Sequence, residues 1–167
     1  MQDSHRRHWI INIPVRPKAV QSSRNGRGHF HVDPKVRKWK ESIRPYIEAA
    51  CGGTPPSKLP IKVVALRYYY RLPKNATKKV HRYVEEGGII PYLAPADITD
   101  NLNKGVIDVC KGLVFEDDCQ LWLIDGVVTK QYAEDDHMEL EFEETPDVMT
   151  ITGKVARELT EPLSHDS

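Results

Sequence analysis

The stretch Pro95–Gln120, PADITDNLNKGVIDVCKGLVFEDDCQ, sets Asp97, Asp100, Asp108, Glu116, Asp117 and Asp118 among Leu102, Val106, Ile107, Val109, Leu113, Val114 and Phe115. A fully solvated acidic face does not carry that much apolar side chain. One side of this stretch must therefore be buried, and the acids need a counter-charge. Leu102, Val106, Val109 and Leu113 share one face at helical spacing, Thr99 and Asp100 are capping residue types, and Gly112 stands where the helix would stop. Asp100, Lys104 and Asp108, each four apart, form a polar stripe beside the apolar one. If the chain folds back after Gly112, Asp117–Asp118 is expected to meet Asp97–Asp100 near one end of the helix. Two carboxylates about 4 Å apart repel by roughly 4 kcal/mol at an effective dielectric of 20. Such a grouping raises a pKa or recruits cations. Oxygen ligands without converging Cys or His suit magnesium or manganese rather than zinc. Taken singly, each acid also has a structural reading: Asp100 as a helix cap, Asp108–Lys104 as a surface ion pair, Asp117–Asp118 as a turn.

Two other motifs are excluded. In Asp97–Asp108 the sixth position of a calcium loop, which needs Gly for its turn, is Leu102. GRGHFH, Gly26–His31, is not a phosphate loop, since no Gly-Lys-Ser/Thr follows it. At 167 residues the chain suits one well-buried domain. Neither a signal peptide nor a membrane span is expected, because the apolar run Trp9–Ile13 is too short for either. Cys51, Cys110 and Cys119 form no CxxC and are odd in number, which reads as reduced thiols in a cytoplasmic protein. The net charge of zero hides a segregation: residues 1–45 carry eleven Lys and Arg against Asp3, Asp33 and Glu41, whereas the C-terminal end is acidic. The basic half is suited to phosphates, with two segregated solvated faces as the plain alternative.

Trp9–Pro14 reads as a short buried strand. The aperiodic stretch after it is long enough to suggest a functional loop. Its Arg16, Lys18, Arg24 and Arg27 are candidate DNA-backbone contacts, as are Lys74, Lys78, Lys79 and Arg82 in Pro73–Gly88, read as a loop or short helix. Phe30, between His29 and His31, is a candidate base-stacking side chain, with loop packing as its other reading. Asp33–Pro34 opens a helix through Val36, Trp39, Ile43, Tyr46, Ile47 and Ala50, which share one face, that stops at Gly52–Gly53, and Pro45 is expected to kink or shorten it. Ile61–Leu72 is a strand, Asp125–Gly126 marks a hairpin or bulge, and HMELEFEE alternates as a half-exposed strand. Trp9, Trp39 and Trp122 are expected in the core. The order β, α, β, α, β, β predicts an α+β fold, with helices packed on one face of a small mixed or antiparallel sheet. Residues 1–144 form this single domain, and 145–167 an acidic tail, partly ordered or disordered.

DNLNKGVIDVCKGLVFEDDCQL, Asp100–Leu121, resembles the signature of RusA-type Holliday junction resolvases: an acid followed by Asn-Leu-x-Lys, a helix with an internal Asp, and an Asp-Asp-x-Gln turn feeding a strand. The resemblance implies a homodimeric endodeoxyribonuclease that uses Mg2+, or Mn2+ in its place, to cut four-way DNA junctions by paired nicks. It further implies a bacterial cytoplasmic setting and a phage or prophage gene. By position, Asp100 and Asp118 match the metal-binding carboxylates, Lys104 the active-site lysine, and Asp117 the adjacent acid. The family's Asp-x-Asp is one residue wider here, Asp97-Ile98-Thr99-Asp100. Either a local bulge returns Asp97 to the metal, or fewer acids hold it. Carboxylate-held magnesium suits phosphodiester hydrolysis, and Lys104 would steady the transition-state phosphate. A two-fold dimer matches the near two-fold junction, with the exposed edge of a C-terminal hairpin as the expected contact. A magnesium nuclease of flap or single-stranded DNA, or a non-catalytic dimer that binds branched DNA, are the alternatives.

Overall fold

The computed structural model describes residues 6–20 and 33–146. Arg24, Arg27, His29, Phe30, His31 and the tail from residue 147 lie outside the described residues. The elements are β1 (His8–Ile13), α1 (Pro34–Cys51), β2 (Ile61–Arg71), α2 (Lys78–Glu85), α3 (Asn101–Cys110), a single 3-10 turn (Asp118–Gln120), β3 (Leu121–Ala133) and β4 (His137–Glu144). They form an α+β domain on one mixed sheet of order β1-β4-β2-β3. Antiparallel β4 sits between β1 and β2, and β3 runs parallel to β2 at the edge.

The alternation of β4 explains its central place. Met138, Leu140 and Phe142 are fully buried, while Glu139, Glu141 and Glu143 turn to the opposite face. There they meet Arg67, His8, and the pair Arg6 and Lys62. The apolar face is covered by α1, through Val36, Trp39, Ile43 and Ile47, and by α3, through Leu102, Val106 and Val109. Asp33 accepts a hydrogen bond from the Lys35 amide, Pro34 takes the first helical position, and Gly52 closes α1 in the left-handed region. Pro45 does not end the helix, which runs on to Cys51.

Pro73–Gly88, read as a loop or short helix, contains the short helix α2, which has no buried residue. Two expectations need correction. On the face read along α1, Tyr46 and Ala50 are exposed. Trp9 and Trp39 are buried, but Trp122 is 50% exposed. Of the two readings of Asp125–Gly126, hairpin or bulge, the structure shows the bulge: β3 runs on through it, with both residues opposite the single Val64. A Cβ on Gly126 would sit 1.8 Å from the Val64 carbonyl oxygen, so only glycine permits that approach. β3 and β4 consequently do not pair with each other. The connection Glu134–Asp136 passes over the end of β2, where the Arg71 amide donates to Asp136.

Candidate active site

At the start of α3 the chain makes a wide turn. The Leu102 amide donates to the Asp97 carbonyl, five residues back, and Asn101 Oδ1 accepts from the Asp97 amide. This absorbs the extra residue between Asp97 and Asp100 and ties Asp97 to the helix start. The Asp97 carboxylate accepts from both the Thr99 hydroxyl and amide, at 2.6 and 2.7 Å, and those bonds hold its pKa below the usual carboxylate value. Asp100 occupies the capping position, yet its side chain makes no capping hydrogen bond. Its carboxylate is thus exposed and not committed to the helix. Lys104 is exposed one turn further on, and Asn103 is locked between the Tyr68 hydroxyl and the Ile98 carbonyl. Lys130 of β3 reaches up to donate to the Ala94 and Ala96 carbonyls, fixing the segment that leads into Asp97.

Beyond α3 the chain does fold back, with Gly112 at φ 80 and its amide donating to the Phe115 carbonyl. The turn serves only the C-terminal end of the helix. There Lys111 Nζ lies 2.7 Å from Asp117 and 3.4 Å from Asp118, standing where a cation bridging the two carboxylates would stand. The ammonium, with the Cys119 amide, pulls the Asp117 pKa far below the ordinary carboxylate range. Gln120 holds the turn: its side chain accepts from the Asp117 amide and donates to the Ser57 and Leu59 carbonyls. Ser57, fully buried, donates to Glu144, which also receives the Arg7 amide and guanidinium. Asp108 is gripped by Lys40 of α1 at 2.7 Å.

The predicted acids therefore form two groups, Asp97 with Asp100 and Asp117 with Asp118, at opposite ends of α3. Ten helical residues separate them by about 15 Å. Among the described residues, no group of three or more His, Cys, Asp or Glu side chains is placed to hold a metal ion. The donor types suit magnesium, and the two acid pairs lie apart along α3. Lys111 and Lys130 were missed in the sequence. Lys111 stands seven residues before Asp118, where a basic helix end invites the pairing, whereas nothing local marks Lys130.

Of the candidate DNA contacts, Lys74, Lys78, Lys79 and Arg82 are exposed, the last three on α2. Lys18 is half-buried. Arg16 is tied to Asp136 at 2.8 Å and lies over the Tyr70 ring. α2 hangs from Glu134 through His81, so this basic surface gathers at the end of the sheet that carries Asp97. No helix among the described residues is long and apolar enough to cross a membrane.

Carboxylates around one short helix, beside exposed basic side chains suited to phosphates, are the make-up of a nuclease. The chain belongs to the RusA family: the family model described as endodeoxyribonuclease RusA matches residues 12–143. It is thus an endodeoxyribonuclease, of a family that acts on branched DNA. No curated protein matches the chain.

Proposed function

We propose that the protein resolves four-way DNA junctions with magnesium, as a two-fold dimer in which each active site is shared between protomers. The separation of the two acid pairs carries this reading. Magnesium binds oxygens at about 2.1 Å, so two carboxylate oxygens on one ion lie within about 4 Å of each other. A gap of about 15 Å is far outside that reach. A two-fold axis brings the Asp117–Asp118 end of each protomer to the Asp97–Asp100 end of the other, twice over. Two equal sites follow, and with them paired nicks.

In each site Asp100 from one chain and Asp118 from the other are the metal ligands, with Asp97 held ready by its wide turn. Magnesium held by these carboxylates would supply an activated water, neutralisation of the phosphate charge and stabilisation of the leaving oxygen. Lys104 steadies the negative charge gathering on the phosphate, and Lys111 keeps Asp117 ionised at the rim. Lys74, Lys78, Lys79 and Arg82, with Lys18, grip the DNA backbone without reading its sequence.

The test is a nicking assay on a synthetic four-way junction with Mg2+, Ca2+ as control, and Asp100→Asn beside the wild type. Flap and linear substrates run in parallel. Paired symmetric nicks that need Mg2+ and Asp100 are expected. Preferred cleavage of flaps would make the protein a different nuclease. Tight junction binding with no metal-dependent product would leave only a binding dimer.

A further inference from the structure

We propose that Ile89 and Leu93 form an apolar wedge that inserts between bases at the branch point of the DNA; the inference rests on the reading of the protein as a junction nuclease. From Ile89 to Leu93 the chain runs along the far end of β3, where the Tyr92 amide donates to the Lys130 carbonyl and the Tyr132 amide to the Ile90 carbonyl. Side chains alternate along an extended segment. Ile90 and Tyr92 are half-buried, whereas Ile89, Pro91 and Leu93 are exposed. Ile89 is 65% exposed and Leu93 85%, the highest of any large apolar side chain among the described residues. The backbone that bears them is pinned. Tyr92 stacks on Tyr70 with ring centroids 3.7 Å apart and meets Tyr132 edge-on at 5.2 Å. Just beyond, Lys130 donates to the Ala94 and Ala96 carbonyls. Single exposed apolar side chains are ordinary, but here a fixed segment presents several together on one side.

The occupant follows from what stands on either side. α2 hangs from Glu134 through His81, Ile90 and Tyr92 pair beside Tyr132 and Lys130, and Lys130 holds the segment that leads into Asp97. The two side chains thus lie between the basic helix and the Asp97–Asp100 acids. The Tyr83 ring of α2 lies over Gly88, where a Cβ would fall 2.4 Å from it, and this ties the helix to the start of the segment. Residues 74–93 carry Lys74, Lys78, Lys79 and Arg82 against Glu85 and Glu86, a net charge of +2 (4 − 2), which complements a polyanion. A second copy laid on the same patch about a two-fold axis would bring the same positive charge to it. Leu93 is four residues from Asp97, at most about 14 Å of chain or about four base steps. DNA gripped by α2 and cut at the Asp97 end therefore passes these side chains at the branch point, where stacking is interrupted. Leu, Ile and Pro are side chains with which proteins part base steps, and a base already without its partner is the easiest to unstack. Linear duplex offers no such base, so the wedge favours branched DNA over duplex.

The test compares the wild type, the double variant Ile89→Ser/Leu93→Ser and the single variant Leu93→Phe, with Ca2+ in place of Mg2+. A four-way junction with 2-aminopurine at the branch point reports unstacking by its fluorescence, and affinities for that junction and for linear duplex are titrated in parallel. Circular dichroism and sedimentation velocity follow fold and association. The wild type should brighten the probe and the serine variant should not. The variant's preference for junction over duplex should fall at least about 10-fold while its duplex affinity holds. Leu93→Phe should keep both properties, since a larger apolar side chain still fills the step. A folded serine variant that brightens the probe and keeps its preference overturns the proposal. So does one that unfolds, one that loses junction and duplex affinity equally, or one that changes its state of association, the result expected if a second copy covers these side chains. A wild type that prefers flaps, and unstacks their branch-point base only with Ile89 and Leu93 in place, refutes the four-way reading and leaves the wedge standing. A wild type that resolves junctions yet leaves the probe stacked refutes only the wedge.

Discussion

Mixing two inactive proteins gives a direct test of the shared site. In Asp100→Asn and Asp118→Asn each substitution removes a ligand's charge with little change of shape, so either protein alone is expected to be inactive in both of its sites. When the two are mixed in equal amounts and allowed to exchange subunits, about half of the dimers are mixed. With Asp100 and Asp118 at opposite ends of the ten-residue α3, a mixed dimer has one site with both substitutions and one with neither. About one quarter of all sites are then intact, so nicking should return to about 25% of wild type. Resolution into two duplexes should stay lost, because a mixed dimer cuts only one strand. Denaturing gels report nicks and native gels report resolution, with differently tagged chains to verify exchange. No nicking after verified exchange would refute the shared site, since acids acting within one protomer cannot complement each other.

Replacing Lys78, Lys79 and Arg82 with Ala should weaken junction binding and lower the log–log salt slope by up to about 5.4, six charges in the dimer at about 0.9 each; an unchanged slope would remove α2 from the DNA interface. Gly126→Ala has nowhere to put its methyl against the Val64 carbonyl and should cost about 3 kcal/mol or more, a melting temperature roughly 10 °C lower by calorimetry. For Glu144, burial pushes the pKa up, but bonds from the Ser57 hydroxyl and the Arg7 amide and guanidinium outweigh it and leave the pKa below its ordinary 4.5. Its stabilisation is present above pH 4.5 and is lost as pH falls through the lower folded value. Glu144→Gln should therefore cost about 2–3 kcal/mol at neutral pH and flatten the acid limb of the stability curve followed by urea titration.

What the sequence makes legible here is what short-range chemistry decides. Asp33–Pro34 and Gly52 mark the ends of α1 because capping is settled within a turn of the helix. HMELEFEE declares its two faces because side chains alternate along any strand. Asp125–Gly126 is left between two readings for the opposite reason. Locally it is hairpin or bulge chemistry, and the choice of the bulge answers to the Val64 carbonyl, sixty-two residues earlier in the chain. The acids divide in the same way. Their identities and grouping are visible from Pro95 to Gln120, yet nearness in sequence conceals the helix between them, and its length parts the two pairs. The wider Asp97–Asp100 spacing reads as a possible defect, and the structure resolves it as a turn closed by Leu102, Asn101 and Thr99.

The position of β4 bears on how the chain acquires its fold during synthesis. β1 emerges first but, among the described residues, has only β4 for a neighbouring strand, and β2 meets β1 only through β4. Until residues 137–144 leave the ribosome, the β1 edge has no strand to pair with, and the N-terminal residues must wait through more than 120 residues of chain. At the usual pace of about 5–20 residues per second, that interval is on the order of ten seconds. Because β4 fills the gap last, an arrest after β3 should yield a protease-sensitive chain, and release of β4 should bring protection to β1 and β2 together.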